Sequence, residues 1–176
     1  ELTGQNFNVD IPYLQSIALT RVPTLIGDSE EMYAGIYSPV KGEVEGHIAF
    51  ILPWASAQAL WRMVLGRAPS TTADVDDHAA SAMLEIGNIV NCNFLKAISD
   101  IAKLSFNTTQ PVLAMDSCSV ILAEIVSEAS QGDAASLVID TEFYNDEHTT
   151  SGIFLFLPTV SGLSSLFSAL GIPKAA

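Results

Sequence analysis

The chain has 176 residues, 49% of them hydrophobic and 15% charged, with 7 Lys and Arg set against 20 Asp and Glu for a formal charge of −13. That length suits one domain with a sizeable core, and the composition excludes disorder. The acidic balance argues against general nucleic-acid binding, which needs a Lys/Arg surplus to displace counterions, and against an anionic membrane surface.

Residues 14–24 predict a first strand that Pro23 closes, and residues 31–40 and 43–52 predict a hairpin turned at Ser38 to Gly42. Residues 53–66 read as a helix that starts after Pro53 and stops at Gly66. A long helix is predicted from Thr72 or Asp74 to about Leu104, with Asp74, Asp76 and Asp77 at the positive end of its dipole. Pro111 opens the next strand. Two more strands, at 119–126 and 135–143, precede a strand at 149–157, and Pro158 leads into a short helix ending at Gly171. No apolar run approaches the roughly 20 residues of a membrane span. Cys92 and Cys118 form no CxxC pair, and the opening residues lack a signal pattern. The expectation is free thiols in a reducing cytoplasm.

Two segments look alike. Sliding residues 47–66 by 105 positions onto 152–171 gives six identities in twenty: Ile48/Ile153, Leu52/Leu157, Pro53/Pro158, Ser56/Ser161, Leu65/Leu170 and Gly66/Gly171. An internal duplication explains this, and so does the general likeness of strand–Pro–helix–Gly units. In the second unit the long helix lies upstream of the closing strand, so a counterpart in the first unit would lie before residue 1. The expected fold is α/β of the α+β type, a single domain over 1–176 with a second-half repeat at about 74–171. It is a pseudo-twofold duplicated strand–helix unit, with a mixed or antiparallel sheet and the long helices packed on one face.

On a helical wheel Met83, Ile86, Val90, Phe94, Ala97 and Ile101 form a core-facing stripe. Ser81, Glu85 and Asn88 fall on nearly the opposite side, followed by Cys92 and Lys96, so a carboxylate and a carboxamide stand one turn apart on an exposed face. Gly87 costs roughly 1 kcal/mol against alanine in mid-helix. Its presence fits either close approach of another backbone or close packing on the sheet.

Ser81, three residues, Glu85, two residues, Asn88, then 22 residues and Pro111 resembles the signature of the CheC/CheX/FliY phosphatases of bacterial chemotaxis. Every fixed position and both spacings agree. The surroundings are also similar: Glu85-Ile-Gly-Asn-Ile89, then Asn93-Phe-Leu-Lys-Ala-Ile98. Members with two active helices carry a second copy of the motif in the first half, and here no other Glu-x-x-Asn has a suitable setting.

The resemblance implies that the substrate is the aspartyl phosphate of a CheY-type receiver. An acyl phosphate is already activated, so what remains is to position a water for in-line attack. Asn88 is the expected catalytic residue, because a carboxamide offers an acceptor and a donor without adding negative charge. Glu85, also expected in catalysis, would pair with the receiver's active-site lysine, and Ser81 would complete the partner-binding face with Glu85 and Asn88. Pro111 and Gly87 are expected to be structural. The chain itself is expected to need no cofactor or metal, with Mg²⁺ on the partner receiver. The same helix also fits a non-catalytic module that docks on receivers or flagellar switch components. A homodimer through an exposed strand edge is a further arrangement the sequence allows.

Other features are read as bland. His47, His78 and His148 lie far apart, and Asp76-Asp77-His78 suits a helix cap better than a metal site. Trp54 and Trp61 share one helix face and read as core. The acidic run at 140–147 reads as a charged hairpin loop.

Overall fold

A computed structural model describes residues 8–18, 31–129, 135–144 and 149–171, with side chains described for 31–127 and 152–171. Among the described residues the element order is β1 (Asn8–Ala18), β2 (Met32–Gly42), β3 (Gly46–Pro53), α1 (Trp54–Leu65), a 3₁₀ turn (Thr72–Asp74) and α2 (Asp77–Ala102). Then come β4 (Phe106–Thr108), β5 (Val112–Ser117), α3 (Cys118–Ala129), β6 (Ala135–Tyr144), β7 (Thr149–Pro158) and α4 (Val160–Ala169). The strands form one seven-stranded sheet in the order β1-β6-β7-β3-β2, with β4 and β5 sharing the far side of β2. Every pairing is antiparallel.

The arrangement has the expected pseudo-twofold character. β3 and β7 are adjacent at the centre, with Phe50 opposite Phe154 and Ile48 opposite Phe156. Each strand runs almost directly into a helix, and the matched glycines beyond those helices, Gly66 and Gly171, both take a left-handed φ of 68°. That conformation admits glycine at no steric cost, so the shared glycine marks a shared helix ending.

Central strands are buried on both faces. Ala34, Ile36, Val40, Ile48, Phe50, Leu52, Phe154 and Phe156 point into one core with Trp61, Met83, Leu95 and Leu166 of the helices α1, α2 and α4. Tyr33, Tyr37, Ala49, Ile51, Leu155 and Leu157 point the other way, against Ile121, Leu122 and Ile125 of α3. Near-continuous apolar runs in β3 and β7 follow from that double burial.

Several expectations need correction. Residues 119–126, expected as a strand, lie in α3. Their β-branched residues suggested a strand, yet Cys118, Ile121, Leu122 and Ile125 are buried at helical spacing while Val120 and Val126 stay exposed. The first strand begins at Asn8, ahead of the expected start, and residues 19–24 of that expectation lie outside the described residues. Three-residue β4 was not anticipated. The acidic run, expected as a hairpin loop over 140–147, instead supplies the last five residues of β6, where Asp140 to Tyr144 pair with Ile153 to Thr149 of β7, and residues 145–148 lie outside the described residues.

The long helix starts later than expected. Asp74 accepts the backbone N–H and hydroxyl of Thr71 at 2.9 Å each, which closes the 3₁₀ turn, and Val75 is extended. The true N-cap is Asp76, whose carboxylate accepts from Ala79 N at 2.8 Å and pairs with Arg67 at 2.7 Å. The Ala79 N–H, with Arg67 next, holds the Asp76 carboxyl below the usual carboxylate range. A pKa lower in the folded chain than in the unfolded one means stability that is present at neutral pH and lost as pH falls through the folded value. Asp76→Ala is therefore expected to lower the Tm at neutral pH, with the gap from the parent protein closing in acid, as thermal scans across pH will show.

The buried face of α2 also differs from the wheel. Ala79, Met83, Gly87, Asn91 and Leu95 are buried at every fourth residue. Four residues turn through about 400°, so the line of contact winds about 40° per step around the rod. Ile86, Val90, Phe94 and Ile98 pack half-buried beside it, but Ala97 and Ile101 have turned to solvent, and Ile101 is 72% exposed.

Candidate functional site

The outward face of α2 is built by what lies beneath it. Gly87 is buried on β2, where an added Cβ would lie 2.3 Å from Ile36 Cγ2 and 2.7 Å from Ile36 Cβ. Of the two sequence readings of this glycine, close packing on the sheet is the one observed. Asn88, the next residue, therefore starts from a backbone held tightly against the central sheet.

Ser81 and Glu85 are exposed, Asn88 is half-buried, and Cys92 and Lys96 are exposed. Asn88 Oδ1 accepts a hydrogen bond from Cys92 Sγ at 3.6 Å, and Thr108 Oγ1 lies 3.5 Å from the same sulfur. Lys96 pairs with Asp100 at 3.0 Å, one turn further on. Among the described residues the Glu85 carboxylate and the Asn88 amide nitrogen take no partner from the chain, so both are available to another molecule. A carboxylate and a carboxamide one turn apart on a solvent face suit polar engagement of a docked surface.

Pro111 is half-buried and immediately precedes β5, whose Leu113 pairs with Ile36 of β2. Thr109 N donates to Pro39 O at 3.0 Å, tying the same connection to β2. The motif's proline and glycine thus both bear on β2, although 22 residues separate Asn88 from Pro111.

Thr108 is the site neighbour that sequence reasoning missed. It reaches Cys92 because β4 pairs with β2 through Val40 and Thr108, a non-local contact with no local signal. The Cys92 part had a signal, since it stands four residues from Asn88. Asn91 presents a contrast. It is fully buried, with neither side-chain polar atom bonded among the described residues, and it cannot face a partner.

The remaining candidates fall elsewhere. His47 is half-buried in β3, His78 is exposed at the start of α2, and His148 lies outside the described residues. Among the described residues no three His, Cys, Asp or Glu side chains gather so as to hold a metal ion. Trp61 is fully buried, meets Trp54 edge-on at 5.4 Å and donates its indole N–H to Ala79 O at 2.8 Å, so it ties α1 to the start of α2. No helix among the described residues is long and apolar enough to cross a membrane.

The two thiols differ in chemistry. Cys118 is buried, and burial pushes its thiol up to about 11, whereas Cys92 is exposed. The thiolate is the reacting form, so iodoacetamide at neutral pH is expected to label Cys92 and spare Cys118 in the folded protein. Peptide mass spectrometry checks this, and equal labelling would contradict the burial of Cys118.

No family model matches the chain. The CheY-P phosphatase CheC of Bacillus subtilis (strain 168) is 25% identical over 175 residues, covering 97% of this chain and 84% of that protein. Among solved structures, FliY of Thermotoga maritima superposes with a TM-score of 0.71 at 11% identity, over 96% of this chain and 83% of that one. FliM from the FliG–FliM complex of H. pylori gives 0.58 at 10% identity, over 95% and 85%. These two structural likenesses speak for the fold.

Proposed function

The chain belongs to the CheC/CheX/FliY family, and on that premise we propose that it accelerates hydrolysis of the aspartyl phosphate of a CheY-type receiver domain. The observation that carries this reading is the Asn88 carboxamide, half-exposed on a helix clamped to the sheet, with its nitrogen unengaged and Glu85 free one turn away.

The reaction asks little covalent chemistry of the chain. Water attacks phosphorus in line, the P–O bond to the aspartyl carboxylate breaks, and inorganic phosphate and a free carboxylate leave. Asn88 Oδ1 accepts from Cys92 and keeps a second lone pair for a proton of the attacking water, which turns the water's own lone pair toward phosphorus. Glu85 pairs with a cation on the receiver and sets the docking register, and Ser81 adds a hydrogen bond one turn back. The receiver's Mg²⁺, when bound, neutralises charge on the phosphoryl oxygens, and no cofactor is asked of this chain. A cytoplasmic setting belongs to the same reading.

The test is to mix the protein with a phosphorylated receiver and follow loss of the phosphoryl group. Accelerated loss that depends on Asn88 supports the phosphatase. Glu85→Ala is expected to weaken both binding and acceleration. A receiver that binds yet keeps its phosphoryl group at its own rate would replace this reading with docking alone.

A further inference from the structure

Resting on the role just proposed for Asn88, we infer that Cys92 and Thr108 are positioning residues that hold the Asn88 carboxamide in the one orientation that keeps a lone pair of Oδ1 aimed for the attacking water. The torsion that swings a carboxamide is broad and roughly two-fold, so an asparagine on an open helix face presents oxygen or nitrogen with little preference. Water positioning needs one of these orientations.

The hydrogen-bond chain supplies it. The Cys92 S–H is given to Asn88 Oδ1 at 3.6 Å, so the hydroxyl of Thr108, 3.5 Å from the same sulfur, is left as donor to it. Polarity then runs one way, from Thr108 to sulfur to Asn88 oxygen. Cys92 thus occupies one lone pair of Oδ1 and holds the carboxamide in one orientation, in which the second lone pair of Oδ1 is left for the attacking water. Both contacts have sulfur length, longer than the 2.7–2.8 Å usual for O–H···O. A serine at 92 would therefore reach both partners poorly.

The anchor of this chain is the sheet, not the helix. Thr108 pairs with Val40, Thr109 N is bound to Pro39 O, and Glu43 N to Ser105 O at 2.9 Å. The carboxamide is thereby referenced to β2, the strand that also seats Gly87. Two elements distant in sequence converge on one torsion angle.

The experiment uses the whole chain with Cys92→Ala, Thr108→Val, Thr108→Ser and Asn88→Ala. In receiver dephosphorylation Cys92→Ala and Thr108→Val are expected to lower kcat about threefold to tenfold, the scale of one modest hydrogen bond, with KM unchanged. Thr108→Ser, which keeps the hydroxyl, is expected to restore kcat. The ¹⁵N order parameter of the Asn88 side-chain amide, measured on the protein alone, is expected to fall in Cys92→Ala and Thr108→Val. Parent values of kcat and order parameter in both variants would overturn the positioning role even if Asn88→Ala is inactive, leaving the phosphatase reading intact. Full acceleration by Asn88→Ala would overturn the phosphatase reading, and the inference would fall with it.

Discussion

Asn88→Ala is expected to reduce acceleration of receiver dephosphorylation by about 100-fold or more, the scale on which loss of reactant positioning acts, while receiver affinity stays nearly unchanged. The asymmetry follows from what the side chain touches. Among the described residues Asn88 bonds only Cys92, at 3.6 Å, and it is half-buried on an outward face, so its removal leaves the core as it was. The Tm should match the parent's. Binding rests on the broader face, with Glu85 setting register, so a truncated carboxamide subtracts little from it. What disappears is the acceptor that turns a water toward phosphorus, an interaction made in the reaction and not in docking. Asn88→Asp separates the chemistry further. A carboxylate there has the same size and can still accept from water, but it stands against phosphoryl oxygens of like charge. It is expected to be inactive as well, and to weaken binding where alanine does not. Single-turnover decay of the phosphorylated receiver and a binding titration check both variants. Undiminished acceleration by Asn88→Ala would end the water-positioning role.

The motif helix was legible because its signal is a spacing, and spacings survive any rotation of the rod. The direction of its buried face was less so. Wheel reasoning weights large apolar side chains, so Ile101 drew the stripe toward itself, whereas the buried line that meets the sheet includes Ala79 and Gly87. Small residues let a helix approach closely and contribute little hydropathy. Helix α1 was read closely because Pro53 and Gly66 punctuate it, and Gly66 does take the left-handed φ that a helix stop uses. Residues 119–126 misled for a physical reason: a short apolar run rich in Val and Ile suits a strand or a buried helix, and only its packing under Tyr33 and Tyr37 decides. Thr108 was beyond reach, since its place beside Cys92 depends on β4 pairing with β2 more than sixty residues away in sequence.

Gly87→Ala is expected to destabilise the fold, although alanine in mid-helix ordinarily gains about 1 kcal/mol over glycine. The new methyl would stand 2.3 Å from Ile36 Cγ2, 2.7 Å from Cβ and 3.0 Å from Cγ1. These are inner atoms of a β-branched side chain with a stiff χ1, not the far end of a flexible one. Ile36 is fully buried, and β2 holds it between Phe50 of β3 and Leu113 of β5, so the strand has no room to yield. Helix α2 must lift instead. Overpacking costs about 1–3 kcal/mol, and an approach of 2.3 Å to an inner atom puts this site at about 2–3 kcal/mol, so a net loss of about 1–2 kcal/mol remains after the propensity gain. Ile36→Val would bring no relief, because it keeps all three offending atoms. Ile36→Ala removes both γ carbons and by itself costs about 2–5 kcal/mol. Combined with Gly87→Ala it should cost less than the sum of the two, with a coupling of about 1 kcal/mol or more. Urea unfolding of the four proteins in the cycle measures that coupling, and strict additivity would show that Ile36 is not what excludes a side chain at 87. Lifting α2 also carries Asn88 away from Thr108, so the single variant should lose acceleration along with stability. The double variant should regain part of both.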